Sequence, residues 1–94
     1  MHIKEFQQFI SGKYEKRDRQ RGVPRTCLWF VEEVGELAKA LRQGDRDQLA
    51  GEFADVFAWL CTLASITGVS LEEAVRKYAR GCPKCGHTPC ACPG

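Results

Sequence analysis

Two acidic patches hold the residues best suited to chemistry: Glu32-Glu33-Val34-Gly35-Glu36 and Glu52-Phe53-Ala54-Asp55. Helical side chains three positions apart lie about 60° apart around the axis, one turn up. Glu33 and Glu36 therefore share one stripe, and Glu52 and Asp55 another. Between the patches, Arg42-Gln43-Gly44-Asp45-Arg46 reads as a helix–helix turn. If the chain folds back around Gly44 as an antiparallel hairpin, Glu36 lies level with Glu52, and Glu33 with Asp55. The four carboxylates then converge. Like charges in one site raise each other's pKa unless a cation neutralises them. Carboxylate oxygens suit magnesium or manganese rather than zinc. Glu-rich helix faces are common, and most are simply solvated. These two stripes, however, lack the Lys or Arg that commonly sits four residues from a surface Glu.

The elements that must position these acids are two amphipathic helices. On the first, Cys27, Phe30, Val31, Val34, Leu37, Ala38 and Leu41 recur at helical spacing. On the second, Leu49, Phe53, Val56, Phe57, Leu60, Leu63 and Ala64 do the same. Glu33, Glu36, Glu52 and Asp55 fall on the flanks of these apolar faces, where a cleft would form. Glu32 points farther out. Trp29 sits one turn before Glu33 and Trp59 one turn after Asp55, at the same level of the hairpin. Packing is the ordinary role of a flank Trp. Stacking on a nucleobase is the alternative, with Trp29 the better placed for it.

The string Glu-Glu-Val-Gly-Glu-Leu-Ala, followed after a gap by Glu-Phe-Ala-Asp-Val, resembles the acidic signature of MazG-type nucleotide pyrophosphohydrolases of the all-α NTP pyrophosphatase superfamily. The resemblance covers about Phe6 to Lys77. It implies an all-α helical bundle completed by oligomerisation, as a homodimer or homotetramer. It also implies hydrolysis of an NTP or dNTP to the monophosphate and pyrophosphate, in a role of nucleotide-pool house-cleaning. Magnesium, or manganese, would be held by Glu33, Glu36, Glu52 and Asp55. Glu32 matches the first acid of the motif and, with Glu33, is a candidate base. Lys77 falls where the family often has a phosphate-binding Lys, and Arg25 and Arg80 are further candidates. Phe6 and Phe9 could line a base pocket. Some relatives carry an aromatic after an Arg-Asp pair, but here Arg17-Asp18 is followed by Arg19.

The chain's 94 residues suit one domain, residues 1–80, plus a tail, residues 81–94. The net charge of +2 does not single out nucleic acid as a partner. No uninterrupted apolar run approaches the roughly 20 residues of a membrane span, and the start lacks the apolar segment of a signal peptide. A cytoplasmic enzyme is expected. A first helix is expected over Ile3 to Glu15, followed by a basic solvated stretch, Lys13 to Arg25. Thr26 is placed to cap the second helix and Asp45 or Asp47 the third. Ser70-Leu71-Glu72-Glu73 opens a fourth. Cys27 and Cys61 read as buried thiols.

The tail concentrates Cys82, Cys85, Cys90 and Cys92. Cys-Pro-Lys-Cys-Gly has the form of a zinc-knuckle turn, and the second pair follows after a short gap. A structural zinc is expected, with His87 as an alternative ligand and disulfides, a disordered thiol tail or a site shared between subunits as other outcomes. The competing function is a zinc-containing oligomeric module that binds nucleic acid or protein without catalysis, using the basic stretch and the knuckle.

Overall fold

The computed structural model describes residues 1–94. It contains α1 (Ile3–Arg21), α2 (Val23–Gln43), α3 (Arg46–Ile66) and the short α4 (Leu71–Ala74), continued by a 3-10 turn over Val75–Tyr78. There are no strands. The fold class is all-α, as the periodicity indicates. α2 and α3 form the antiparallel hairpin, and α1 lies mainly against α3.

The hairpin turns at Gly44, whose φ of 75° is left-handed and whose N–H closes α2 onto the Ala40 carbonyl at 2.9 Å. Asp45 then caps α3. Its carboxylate accepts from the amides of Asp47 and Gln48 at 3.1 and 3.2 Å.

α1 runs six residues past the expected Glu15, to Arg21. Its charged second half sustains the helix through ion pairs: Glu15 with Arg19 at 3.0 Å, and Asp18 with Arg21. Gly22 ends it at φ 82°, and Pro24 suits the first turn of α2. Thr26 is therefore inside α2 and not at its cap. It is fully buried, donating its hydroxyl to the Gly22 carbonyl at 2.7 Å.

Gln7 ties three elements together. This buried side chain donates to Ser65 Oγ at 3.2 Å and the Val69 carbonyl at 2.8 Å, and accepts from the Leu71 amide at 2.9 Å. Phe6 stacks on Phe57 beside it, with ring centroids 5.3 Å apart. Ser70 caps α4 through the Glu73 amide, yet the helix is brief. Val75 and Tyr78 are exposed, and a short helix without packing lacks the bonds to sustain itself.

The core is thin: 8 of the 94 residues are buried, so packing within one chain leaves large apolar faces uncovered. Leu28, Val31, Leu41 and Phe53 are each more than half exposed. Cys61 is buried as expected, but Cys27 is exposed because its side of α2 has no neighbour. The accessible surface is 7096 Å². A compact monomer of this mass would expose roughly 5,500 Å².

By length and composition α3 could cross a bilayer, with a mean hydropathy of 1.4 over its most apolar 18 residues. It reaches that value although charged and polar residues interrupt its apolar run. In the fold, α1 and α2 pack against it.

Replacing Gln7 with Ala would leave the Val69 carbonyl and the Leu71 amide without partners. The expected loss is about 2 kcal/mol, or roughly 8–16 °C in Tm. Thermal melts followed by circular dichroism test this, and an unchanged Tm would remove Gln7 as the tie.

Candidate active site

The hairpin register brings Glu33 of α2 together with Glu52 and Asp55 of α3. Each offers a carboxylate oxygen within 4.8 Å of the others. Glu33 and Asp55 are level across the hairpin, while Glu52 is one turn away from Asp55 along α3. Glu36 and Glu32 are outside this trio, but near enough to act on it. The Glu33 carboxyl is held above its ordinary pKa, first by burial, then by the charges of Asp55, Glu52, Glu36 and Glu32.

No Lys, Arg or His side chain pairs with these acids. The ion pairs of the molecule join His2 to Glu5, Glu15 to Arg19 and Asp18 to Arg21, and none reaches the acid group. One oxygen of Glu52, Oε2, is buried without a hydrogen-bond partner. An orphaned carboxylate oxygen beside two other carboxylates fits a hard divalent cation, which takes oxygen ligands.

Beside the acids lies a cavity of about 390 Å³. α1 supplies Ile10, Tyr14, Arg17, Asp18 and Arg21; Trp29 comes from α2; Asp55, Ala58, Trp59 and Thr62 come from α3. Asp55 thus belongs to both the acid group and the cavity wall. Trp29 and Trp59 meet edge to face, with ring centroids 5.6 Å apart at 83°. The Arg21 guanidinium lies 4.7 Å from the Trp29 ring and 4.9 Å from the Trp59 ring. It is buried, paired with Asp18, and its Nε donates to Thr26 Oγ1 at 3.0 Å. A charge so well partnered is fixed in place, and it holds both indoles with it.

Arg25, Lys77 and Arg80 are exposed and do not line the cavity. Lys77 Nζ lies over the Tyr78 ring at 5.2 Å. Phe6 and Phe9 are also outside the cavity. The aromatic contribution of α1 is Tyr14 instead. Tyr14, Asp18 and Arg21 had no place in the acidic motif. Their signal was the continuation of one helical stripe, Gln7, Ile10, Tyr14, Asp18 and Arg21, through the basic stretch.

Residues 21–86 match the family described as the MazG nucleotide pyrophosphohydrolase domain. The chain belongs to the MazG family. It is also similar to a phosphoribosyl-ATP pyrophosphatase of Methanopyrus kandleri, 25% identical over 72 residues, covering 77% of this chain and 72% of that protein. MazG membership and this likeness make the chain a nucleotide pyrophosphohydrolase in the general sense, a hydrolase of phosphoanhydrides. The MazG match begins at Arg21, so Tyr14, Arg17 and Asp18 of the cavity precede it.

At the other end of the MazG chain, Cys82, Cys85, Cys90 and Cys92 bring their sulfurs within 4.8 Å of one another, a second group able to hold a metal. The Cys85 thiol is pulled down to about 6 by the amides of Ala91 and His87.

The raised Glu33 carboxyl binds its proton more readily folded than unfolded. Its contribution to stability is therefore present below the unfolded pKa and lost as pH rises through the folded one. At neutral pH, Glu33→Gln should raise the Tm of the metal-free protein by a few degrees, and added magnesium should raise the Tm of the native chain more than that of the variant. Differential scanning fluorimetry with and without magnesium checks both. A lower metal-free Tm would contradict the crowding of charge.

Proposed function

We propose that this MazG-family protein is a magnesium-dependent nucleoside triphosphate pyrophosphohydrolase, with manganese an acceptable substitute. It would convert an NTP or dNTP to the monophosphate and pyrophosphate and so clean the nucleotide pool of the cytoplasm. The observation that carries this reading is Asp55, shared between the acid group and the aromatic cavity. A nucleotide has the same two parts, an anionic chain and a flat apolar ring, joined at a short distance.

Trp29, Trp59 and Tyr14 offer faces and edges to a base, and Arg17 and Asp18 offer polar atoms to its rim. The cavity's volume falls within the range of small-molecule sites, about 300–1,000 Å³. Glu33, Glu36, Glu52 and Asp55 would hold magnesium, which when bound neutralises phosphate charge and acidifies water. Glu33, backed by Glu32, takes the proton of the attacking water on a carboxylate oxygen. Water oxygen bonds to phosphorus, the bridging P–O bond breaks, and pyrophosphate leaves. Arg25, Lys77 and Arg80, exposed to solvent, draw the phosphates in and steady the leaving group.

A second copy of the chain completes the assembly. The surface beyond that of a compact monomer is about 1,600 Å², enough on one subunit for a substantial interface. Leu28, Val31, Leu41 and Phe53 would be covered there. Light scattering should give at least twice the 10.6 kDa of one chain, and Val31→Asp should shift it downward. A native mass of one chain would reject this part.

The enzymatic test is incubation with magnesium and a panel of canonical, oxidised and methylated NTPs and dNTPs, with products separated by ion exchange. Monophosphate and pyrophosphate are expected. Asp55→Asn and Glu36→Gln should each lower turnover by roughly 100-fold or more, and Trp29→Ala should raise KM roughly 10-fold. Diphosphate with free phosphate would reject the reaction, and no turnover of any nucleotide would reject the substrate class.

A further inference from the structure

The C-terminal segment carries a cluster that the hydrolytic site does not use. The Sγ atoms of Cys82 and Cys92 are 3.7 Å apart, and those of Cys85 and Cys90 are 4.0 Å apart. Four sulfurs placed about 2.3 Å from a central zinc ion form a tetrahedron with edges of about 3.8 Å. The observed separations are close to that edge. They are far from the roughly 2.05 Å of a disulfide, and all four cysteines are free.

The backbone is wound tightly around these sulfurs. The amides of Ala91 and Cys92 donate to Sγ of Cys85 and Cys90, each at 3.3 Å. Such bonds orient and stabilise thiolate ligands. The Gly86 amide reaches the Cys82 carbonyl at 2.7 Å, and the Cys82 amide reaches the His87 carbonyl at 3.0 Å. Gly81, at φ 104°, has no space for a side chain: a Cβ there would fall 2.7 Å from Thr88 Oγ1 and 3.0 Å from the Gly86 carbonyl.

Apolar burial does not account for this compact path. No residue from 81 to 94 is buried. A segment so short and so exposed cannot hold a fixed shape by packing and needs a cross-link or an ion.

We propose that Cys82, Cys85, Cys90 and Cys92 form a closed four-thiolate site for one structural zinc ion per chain. Sulfur would occupy all four positions and leave none for water or substrate, so the ion fastens the chain end and takes no part in hydrolysis. His87 contributes its backbone carbonyl to the loop and is not a ligand. Because thiolate is soft and carboxylate hard, the two metal sites would not compete for the same ion.

The test is made on the full-length protein, purified under reducing conditions without chelator. Elemental analysis should find one zinc per chain. Exchange for cobalt should give intense thiolate-to-cobalt charge transfer and the visible bands of a tetrahedral ion. Cys82→Ser combined with Cys85→Ser should abolish both, while far-ultraviolet circular dichroism keeps its helical signal. Glu33→Gln combined with Glu52→Gln should retain the zinc and the cobalt spectrum. Zinc well below one per chain after growth with added zinc would overturn the proposal. So would a six-coordinate cobalt spectrum, or a mass lowered by two hydrogens for each bridged cysteine pair. If the double-serine variant fails to fold, the cobalt spectrum of the native chain still decides.

Discussion

Carboxylates brought together with no Lys or Arg paired to them are the constraint to which the rest of the molecule answers. Glu33, Glu52 and Asp55 lie within reach of one ion, and Glu32 and Glu36 add their charge from nearby. Their mutual repulsion alone would separate them. They stay together because the α2–α3 hairpin is fixed elsewhere, by the Gly44 turn, the Asp45 cap and the indole pair. The repulsion is thus offset by structure remote from the acids. Stability is given up locally, and the result is a strong negative field on the flank of the hairpin.

The hairpin was legible in the sequence because its determinants are local. A left-handed glycine and an adjacent capping aspartate set the turn, and a turn sets the level of every residue on both arms. Trp29 and Trp59 meet as that register requires, and Glu33 lies near Asp55. Glu36 is the less regular case: level with Glu52 by count, yet outside the close trio. Register fixes which turns face each other. It does not fix where long side chains end, and a Glu has three rotatable bonds before its carboxylate.

The wall that α1 contributes was harder to read, for a physical reason. Six basic residues between Lys13 and Arg25 suggest a solvated stretch, because burying a charge is costly. Arg21 escapes that cost through an unusual set of partners: Asp18 for its charge, Thr26 for its Nε, and two indole faces. A planar guanidinium can use all of these together, whereas a Lys could not. None is visible until α1 folds against the hairpin. The same arrangement explains why Trp29 and Trp59 serve packing and the cavity at once. They grip Arg21, and that grip leaves the indoles aligned on a common wall with Asp55.

The thin core, the acid group and the cysteine cluster share one feature of construction. A chain with 8 buried residues has little apolar burial with which to hold its parts, and a stable protein needs a margin of several kcal/mol over its lost entropy. At the C-terminus, four free cysteine sulfurs lie within 4.8 Å of one another in a segment with no buried residue. On the flank of the hairpin, the acids require positive charge. Along Leu28, Val31, Leu41 and Phe53, uncovered apolar surface requires another surface. The complements to these three features belong to different physics: soft coordination, hard coordination and hydrophobic burial. Because each is chemically distinct, a site that lacks its complement cannot be satisfied by that of another.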